Sequence, residues 1–111
     1  MEIKKIYSDR AGHFILEFGD ENYLSILFGN GSHTENHEFP SHRALDSDFD
    51  FEKWLTSPVD STTLEIMPGG ERTTKIVENY GKEYWDGALL NYYPVSKLFG
   101  LLEAINCDRE E

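Results

Sequence analysis

Acidic residues occupy every second position in one short stretch, "RALDSDFDFEKW", residues 43–54. The four carboxylates are those of Asp46, Asp48, Asp50 and Glu52. Alternate carboxylates can bind a metal ion, cap a helix, or imitate the regularly spaced phosphates of a nucleic acid. Each alternative predicts a different role for this stretch.

A calcium site fits the stretch poorly. Asp46, Asp48 and Asp50 match the first, third and fifth positions of an EF-hand loop. The sixth position of such a loop needs Gly for a sharp turn, and the twelfth needs a bidentate Glu. Phe51 and Ser57 stand at these two positions, so we expect no metal here.

A capped helix explains more of the stretch. Ser47 or Asp48 can accept hydrogen bonds from the amide groups of a first turn, and the acids that follow suit the positive end of the helix dipole. Phe51, Trp54 and Leu55 would then form a small apolar face.

Nucleic-acid mimicry is the third alternative, and it is compatible with a helix. In an extended strand, alternate side chains point the same way and lie roughly 6.6 Å apart, near the spacing of successive phosphates. Residues 46–60 set five carboxylates against the single Lys53, and Asp108, Glu110 and Glu111 add a second acidic patch. A partner-binding region is therefore predicted at Asp46, Asp48, Asp50, Glu52, Trp54 and Asp60.

The net charge supports a basic partner. The chain of 111 residues has 21 Asp and Glu against 10 Lys and Arg, a formal charge of −11. Direct binding to nucleic acid or to an anionic membrane is disfavoured, whereas association with a basic protein would be speeded by electrostatic steering. The plainer alternative is that the acids serve solubility alone.

Length and composition indicate one domain, residues 1–111, that remains inside the cell. Hydrophobic residues make up 39% of the chain, which is too many for a disordered tail, and no apolar run is long enough to span a bilayer. The N-terminus has no signal-peptide pattern, and the single Cys107 fits a reducing compartment. We therefore expect a cytoplasmic protein.

Alternation and turn residues predict the elements that hold the acidic stretch. We expect strands at residues 2–8, 61–68, 72–81 and 84–93, and a β-hairpin over 14–29 whose turn lies at 19–22. Pro94 begins a predicted C-terminal helix with apolar spacing at Leu98, Leu101, Leu102 and Ile105. The fold class is α+β: a mainly antiparallel sheet of four to six strands, packed against the C-terminal helix, with an acidic loop and short-helix insertion at about 30–60.

Other residues offer little chemistry. His33, His37 and His42 lie in a polar stretch without the spacing of a zinc site, and His13 is expected on the surface. Nucleophile and phosphate-loop motifs are missing, so we expect neither an enzyme nor a cofactor. Core packing or a binding surface could explain a group of aromatic residues, Tyr80, Tyr84, Trp85, Tyr92 and Tyr93. A pocket for a small anion would need basic residues such as Arg43, Arg72 and Lys75 to converge.

Three blocks resemble small accessory proteins of tailed bacteriophages. The block "YLSILFGNGSHTEN", residues 23–36, is similar to the pattern V-S-V-x-F-G-x-G-x-Y-C-x-N, from which His33 and Thr34 depart. The matching residues are Ser25, Phe28, Gly29, Gly31 and Asn36. "DSTTLEI", residues 60–66, and "DGALLNYYPVSKLFGLLEAI", residues 86–105, resemble a later strand and the closing strand and helix of that family, and residues 37–57 look like an insertion.

The resemblance implies a phage origin and no catalytic residue. A small acidic phage protein suits the role of an inhibitor, such as an anti-CRISPR or other anti-defence protein, that occupies a basic nucleic-acid-binding surface of a host effector. Three alternatives remain open: an immunity protein that neutralises a nuclease toxin, a sponge that binds a small signalling nucleotide, and an ordinary phage housekeeping or structural role.

Overall fold

The computed structural model describes residues 1–29, 32–36 and 60–108. These residues form an α+β fold with a five-stranded antiparallel sheet in the order β1-β2-β3-β4-β5. The strands are β1 (Lys5–Arg10), β2 (His13–Gly19), β3 (Asn22–Leu27), β4 (Thr63–Gly69) and β5 (Leu90–Pro94). Two helices, α1 (Glu71–Tyr80) and α2 (Leu98–Cys107), are accompanied by 3-10 turns at Lys82–Tyr84 and Val95–Lys97. The predicted fold class is confirmed.

The predicted hairpin is β2 and β3. Leu16 faces Leu24 and Phe14 faces Ile26 across the pair. Asp20 and Glu21 form the two-residue turn with φ angles of 51° and 66°. Positive φ at both central positions is the type I′ geometry, which matches the twist of the two strands.

One face of the sheet and both helices enclose the core. Alternate residues of the strands point to the same side, so Leu24, Ile26 and Ile66 pack together. Val77 of α1 and Leu101 and Ile105 of α2 cover them. The C-terminal helix packs as predicted, although it begins at Leu98; Pro94 ends β5 and precedes the 3-10 turn.

The predicted strand over residues 72–81 is wrong, because this segment is helix α1. Its β-branched residues suggested a strand, yet Thr73 and Val77 are buried four positions apart, which is helical spacing. Gly70 gives this helix no side-chain cap. Instead Asn22, from the hairpin turn, accepts hydrogen bonds through Oδ1 from the Thr73 backbone N–H at 3.2 Å and from its hydroxyl at 3.0 Å.

The predicted strand over residues 84–93 is only partly correct, since β5 begins at Leu90. Ile66 pairs with Leu90 and Leu64 with Tyr93, so Asn91 and Tyr92 together lie opposite Glu65. This is a β-bulge, and Tyr92 has a φ of 52° in it. As a result Leu90 and Tyr93, three positions apart, are both buried, and Asn91 is directed to the segment 32–36.

No helix in the described ranges is long and apolar enough to cross a membrane.

Candidate functional site

Asn36 holds together the two chain segments that flank residues 37–59. Its Nδ2 donates to the backbone oxygen of Phe28 at 2.7 Å and to that of Asp60 at 2.9 Å. We call residues 32–36 together with 60–65 the acidic stem. Most of the predicted partner-binding region lies in the sequence between the two halves of the stem.

Glu35 adds a second connection within the acidic stem. Its backbone N–H donates to Thr63 Oγ1 at 2.9 Å, and its carboxylate accepts from the backbone N–H of Thr62. The carboxylate of Glu35 is exposed but already has hydrogen-bond partners. It therefore contributes to the local structure as well as to the surface charge.

His33 connects the acidic stem to the bulge in β5. Its backbone N–H donates to Glu65 Oε2 at 2.9 Å, and its ring Nδ1 donates to Asn91 Oδ1 at 2.5 Å. Its carbonyl oxygen accepts from the Tyr92 backbone N–H at 2.8 Å. Residues 32–36 form bends and a turn, as expected of a polar stretch between strands, and they make ordered contacts with β4 and β5.

Asp86 completes this network on the other side of Asn91. Its Oδ2 accepts from Asn91 Nδ2 at 2.8 Å, and its Oδ1 accepts from the backbone N–H groups of Ala88 and Leu89, both at 2.9 Å. These hydrogen bonds, that of Asn91 first, lower the pKa of Asp86 from 3.8 to about 2. Asp86 therefore stays ionised at any physiological pH.

Asp60 is exposed at the base of the acidic stem. The other residues of the predicted contact region, Asp46, Asp48, Asp50, Glu52 and Trp54, lie outside the described ranges. Also outside these ranges are His37, His42, Arg43, Glu110 and Glu111. The calcium and helix interpretations concern residues 46–57, which are outside them too, so both stay predictions. Within residues 1–29, 32–36 and 60–108, no group of three metal-ligating side chains comes together.

A Ser–His–Asp arrangement lies on the sheet face opposite the helices. His13 Nδ1 donates to Asp9 Oδ1 at 2.6 Å, and His13 Nε2 accepts from Ser25 Oγ at 2.8 Å. The expectation that His13 is a surface residue is wrong, since only 14% of its side chain is exposed.

The order of these hydrogen bonds matches that of a catalytic triad, but acyl transfer also needs N–H groups aimed at a developing oxyanion. Ser25 lies within β3 and pairs with Ile15 on one side and Met67 on the other. Its backbone groups are therefore used by the sheet. In the described part of the chain, this arrangement joins three strands and orients His13 without completing a site for acyl transfer.

The aromatic residues divide between core and surface. Tyr93 is buried, Tyr84 and Trp85 are partly buried, and Tyr80 and Tyr92 are about half exposed. Burial in the core accounts for Tyr93. For the exposed members of the group, a role in binding stays a prediction.

Of the basic residues considered for an anion pocket, Arg43 lies outside the described ranges, and the other two each pair with a carboxylate. Arg72 pairs with Asp108 at 2.6 Å on one end of α1, and Lys75 pairs with Glu71 at 3.3 Å. Instead Lys82 and Lys97 line one cavity with Tyr80 and Tyr84. We call this cavity the tyrosine–lysine pocket. Sequence spacing gave no signal for it, because the 3-10 turn after α1 and the turn before α2 bring the two lysines together.

Comparisons with protein-family models, with curated proteins and with solved structures found no match. The similarity to phage accessory proteins therefore stays a prediction. The fold class and the geometry of the acidic stem and the tyrosine–lysine pocket carry the functional argument.

Proposed function

We propose that the chain is an acidic inhibitor that binds the basic, nucleic-acid-binding surface of another protein. The suggested class is an anti-CRISPR or other anti-defence protein of a bacteriophage, which would act in the cytoplasm of the host. Its carboxylates would occupy sites that phosphates otherwise fill, and the target would then be unable to bind its nucleic acid.

One observation carries this proposal: acids are concentrated on and between the two halves of the acidic stem. Over residues 32–65 the basic residues are Arg43 and Lys53. The acids of the same segment are Glu35, Glu38, Asp46, Asp48, Asp50, Glu52, Asp60 and Glu65. Asn36 joins the two halves of the stem, so residues 36 and 60, which flank most of these acids in the sequence, are neighbours in the fold.

Electrostatics makes this concentration useful for binding. A region of one charge sign raises the rate at which an oppositely charged surface is encountered, and the effect weakens as salt increases. Asp86, next to the stem, adds a charge that persists because its pKa is about 2. A hydrophobic anchor is also needed for a stable complex, and we assign that role to Trp54.

The test is competition for a nucleic-acid site. The chain is immobilised, partners are captured from lysate of its native host at low salt, and each captured protein is purified. We expect one of them to bind DNA or RNA and to release it when the chain is added. A captured protein that binds the chain and its nucleic acid at the same time would contradict the proposal, as would capture of no nucleic-acid-binding protein.

A charge-reversal variant locates the contact. Asp46, Asp48, Asp50 and Glu52 are all changed to Lys, which should abolish the competition. The matched control reverses four exposed acids elsewhere, Glu21, Glu71, Glu78 and Glu103, and should retain most of it. Thermal melting of both variants separates lost binding from lost folding. Equal loss in the two variants would show that total charge, and not this region, is responsible.

The identity of the target separates the closest rival function. A nuclease encoded beside this gene would make the chain an immunity protein, whereas an RNA-guided or restriction effector would make it an anti-defence protein. Both outcomes retain the acidic contact, and only the class of target changes.

A further inference from the structure

The tyrosine–lysine pocket lies where the end of α1, the 3-10 turn Lys82–Tyr84, β5 and the start of α2 meet. Its volume is about 430 Å³, which lies within the range of small-ligand sites. The lining combines aromatic rings with the ammonium groups of Lys82 and Lys97 and with one carboxylate, that of Glu83. Basic groups therefore outnumber acidic ones here, although the chain as a whole is strongly acidic.

The aromatic wall of the pocket is fixed by packing. Tyr93 is buried, and its ring meets that of Tyr84 edge-on at 5.3 Å. Burial raises the pKa of the Tyr93 hydroxyl, with Tyr80 and Tyr84 adding to the effect, so the Tyr93 hydroxyl stays uncharged at neutral pH. Tyr80 is half exposed, and its ring offers a surface for stacking.

Gly100 allows Tyr80 to lie against α2. A Cβ atom at this position would stand 2.5 Å from the Tyr80 hydroxyl, so any side chain here would push Tyr80 aside. Glycine costs a helix roughly 1 kcal/mol relative to alanine. The close approach of Tyr80 accounts for the glycine inside α2.

The basic residues of the described chain differ in whether a carboxylate pairs with them. Lys4, Arg72 and Lys75 each pair with one, whereas Lys5 and Arg10 form no ion pair among the described residues. Among the residues that the structure describes, neither Lys82 nor Lys97 forms an ion pair. Lys97 Nζ instead lies 5.2 Å from the centre of the Tyr84 ring, a cation–π contact that holds the ammonium group at the pocket.

The turn before α2 adds a hydroxyl group to the same wall, since Ser96 lines the pocket. Together with the two ammonium groups, this hydroxyl defines a polar position beside an aromatic one.

We propose that the tyrosine–lysine pocket binds a mononucleotide, with its base stacked on Tyr80 and its phosphate held by Lys82 and Lys97. Stacking is available to every base, and lysine ammonium groups are common phosphate ligands. This proposal shares no residue with the acidic contact proposed above, and does not depend on it.

Isothermal titration calorimetry tests the proposal with three probes: adenosine monophosphate, adenosine and inorganic phosphate. We expect the nucleotide to bind more tightly than either of its parts, because only the nucleotide uses both halves of the pocket. Phosphate binding as tight as the nucleotide would overturn the assignment of a base site. No binding of the nucleotide up to about 10 mM would overturn the whole proposal.

Two variants and a control assign the contacts. Changing Lys82 and Lys97 to Gln should weaken nucleotide binding about tenfold or more, and Tyr80→Leu should weaken the nucleotide but not phosphate. The control changes Lys4 and Lys75 to Gln, which alters the net charge equally and should leave binding unchanged. If the control variant loses as much affinity as the pocket variant, the binding is a general charge effect and the proposal fails.

The same lysine variant distinguishes this proposal from the proposed inhibitor function. It should still displace nucleic acid from the captured partner. Loss of nucleotide binding together with intact competition therefore supports both proposals independently.

Discussion

The acidic stem and the tyrosine–lysine pocket both border β5. They differ in whether their charged side chains already have partners within the fold. In the stem, Glu35 and Glu65 accept hydrogen bonds from backbone N–H groups, as Asp86 does beside it. In the pocket, Lys82 and Lys97 have no ion-pair partner among the described residues. A charge already used by the fold has less to offer a partner than a charge that is not.

This difference refines the meaning of a net charge of −11. Part of the acidic excess has a structural use, because carboxylates at the stem replace missing backbone partners. The carboxylates with such a use keep their charge and still attract a basic surface, whereas those without it are also free to pair directly with a partner. In the described part of the stem, Asp60 is the exposed acid whose carboxylate makes no hydrogen bond or ion pair.

Replacing Asn36 should have the largest effect on stability. The substitution removes the hydrogen bonds that join the two halves of the stem and leaves the tyrosine–lysine pocket unchanged. Asn36→Ala loses two hydrogen bonds to backbone oxygens, and should lower the free energy of unfolding by about 2 kcal/mol. Urea unfolding measures the change. The matched control is Asn79→Ala on the exposed side of α1, expected within about 0.5 kcal/mol of the unchanged protein. Equal values for the two variants would show that the stem is not held by Asn36.

Replacing Asp86, which lies beside the stem, should make the melting temperature of the protein less sensitive to acid. The pKa of Asp86 is lower in the fold, about 2 against 3.8, so its ionised form stabilises the folded state. That contribution is complete above about pH 4 and is lost as the pH falls through about 2. The melting temperature of Asp86→Asn should therefore lie below that of the unchanged protein at neutral pH, and the two should converge toward pH 2. A difference that stays constant over this range would contradict the assignment.

Replacing Glu21 should give the smallest change in the free energy of unfolding. This residue lies in the hairpin turn, outside the acidic stem and the tyrosine–lysine pocket. Its φ of 66° is strained for a residue with a side chain, so Glu21→Gly should raise the free energy of unfolding by about 0.5 kcal/mol. The same substitution at Glu78, within α1, should lower it by about 1 kcal/mol. Neither variant should change nucleotide binding. Loss of stability in Glu21→Gly would mean that the turn does not need glycine-like geometry.

Local patterns were sufficient to predict much of the sheet and the last helix. Alternating apolar residues gave the hairpin of β2 and β3, and the spacing of Leu98, Leu101 and Ile105 gave α2. Helix α1 was missed because its β-branched Thr73 and Val77 suit a strand, and because its cap comes from Asn22, far away in the sequence. Only tertiary packing overrides the local preference there.

The candidate sites were harder to predict for the same reason. The bulge at Tyr92 directs Asn91 toward His33. The alternation of apolar and polar residues along the sequence does not predict this bulge. Lys82 and Lys97 lie on different elements, with no motif to connect them. The acidic residues of the stem were visible in the sequence, but their hydrogen bonds to backbone groups depend on which strands become neighbours.

The most direct test of the proposed acidic contact is a titration of the isotope-labelled protein with a short arginine-rich peptide, followed by amide chemical shifts. We predict that the largest shifts appear at Glu35, at residues 60–62 and within residues 43–54, and that they shrink as salt is added. Shifts concentrated instead at the tyrosine–lysine pocket, or spread evenly over the exposed acids of α1 and α2, would contradict the account.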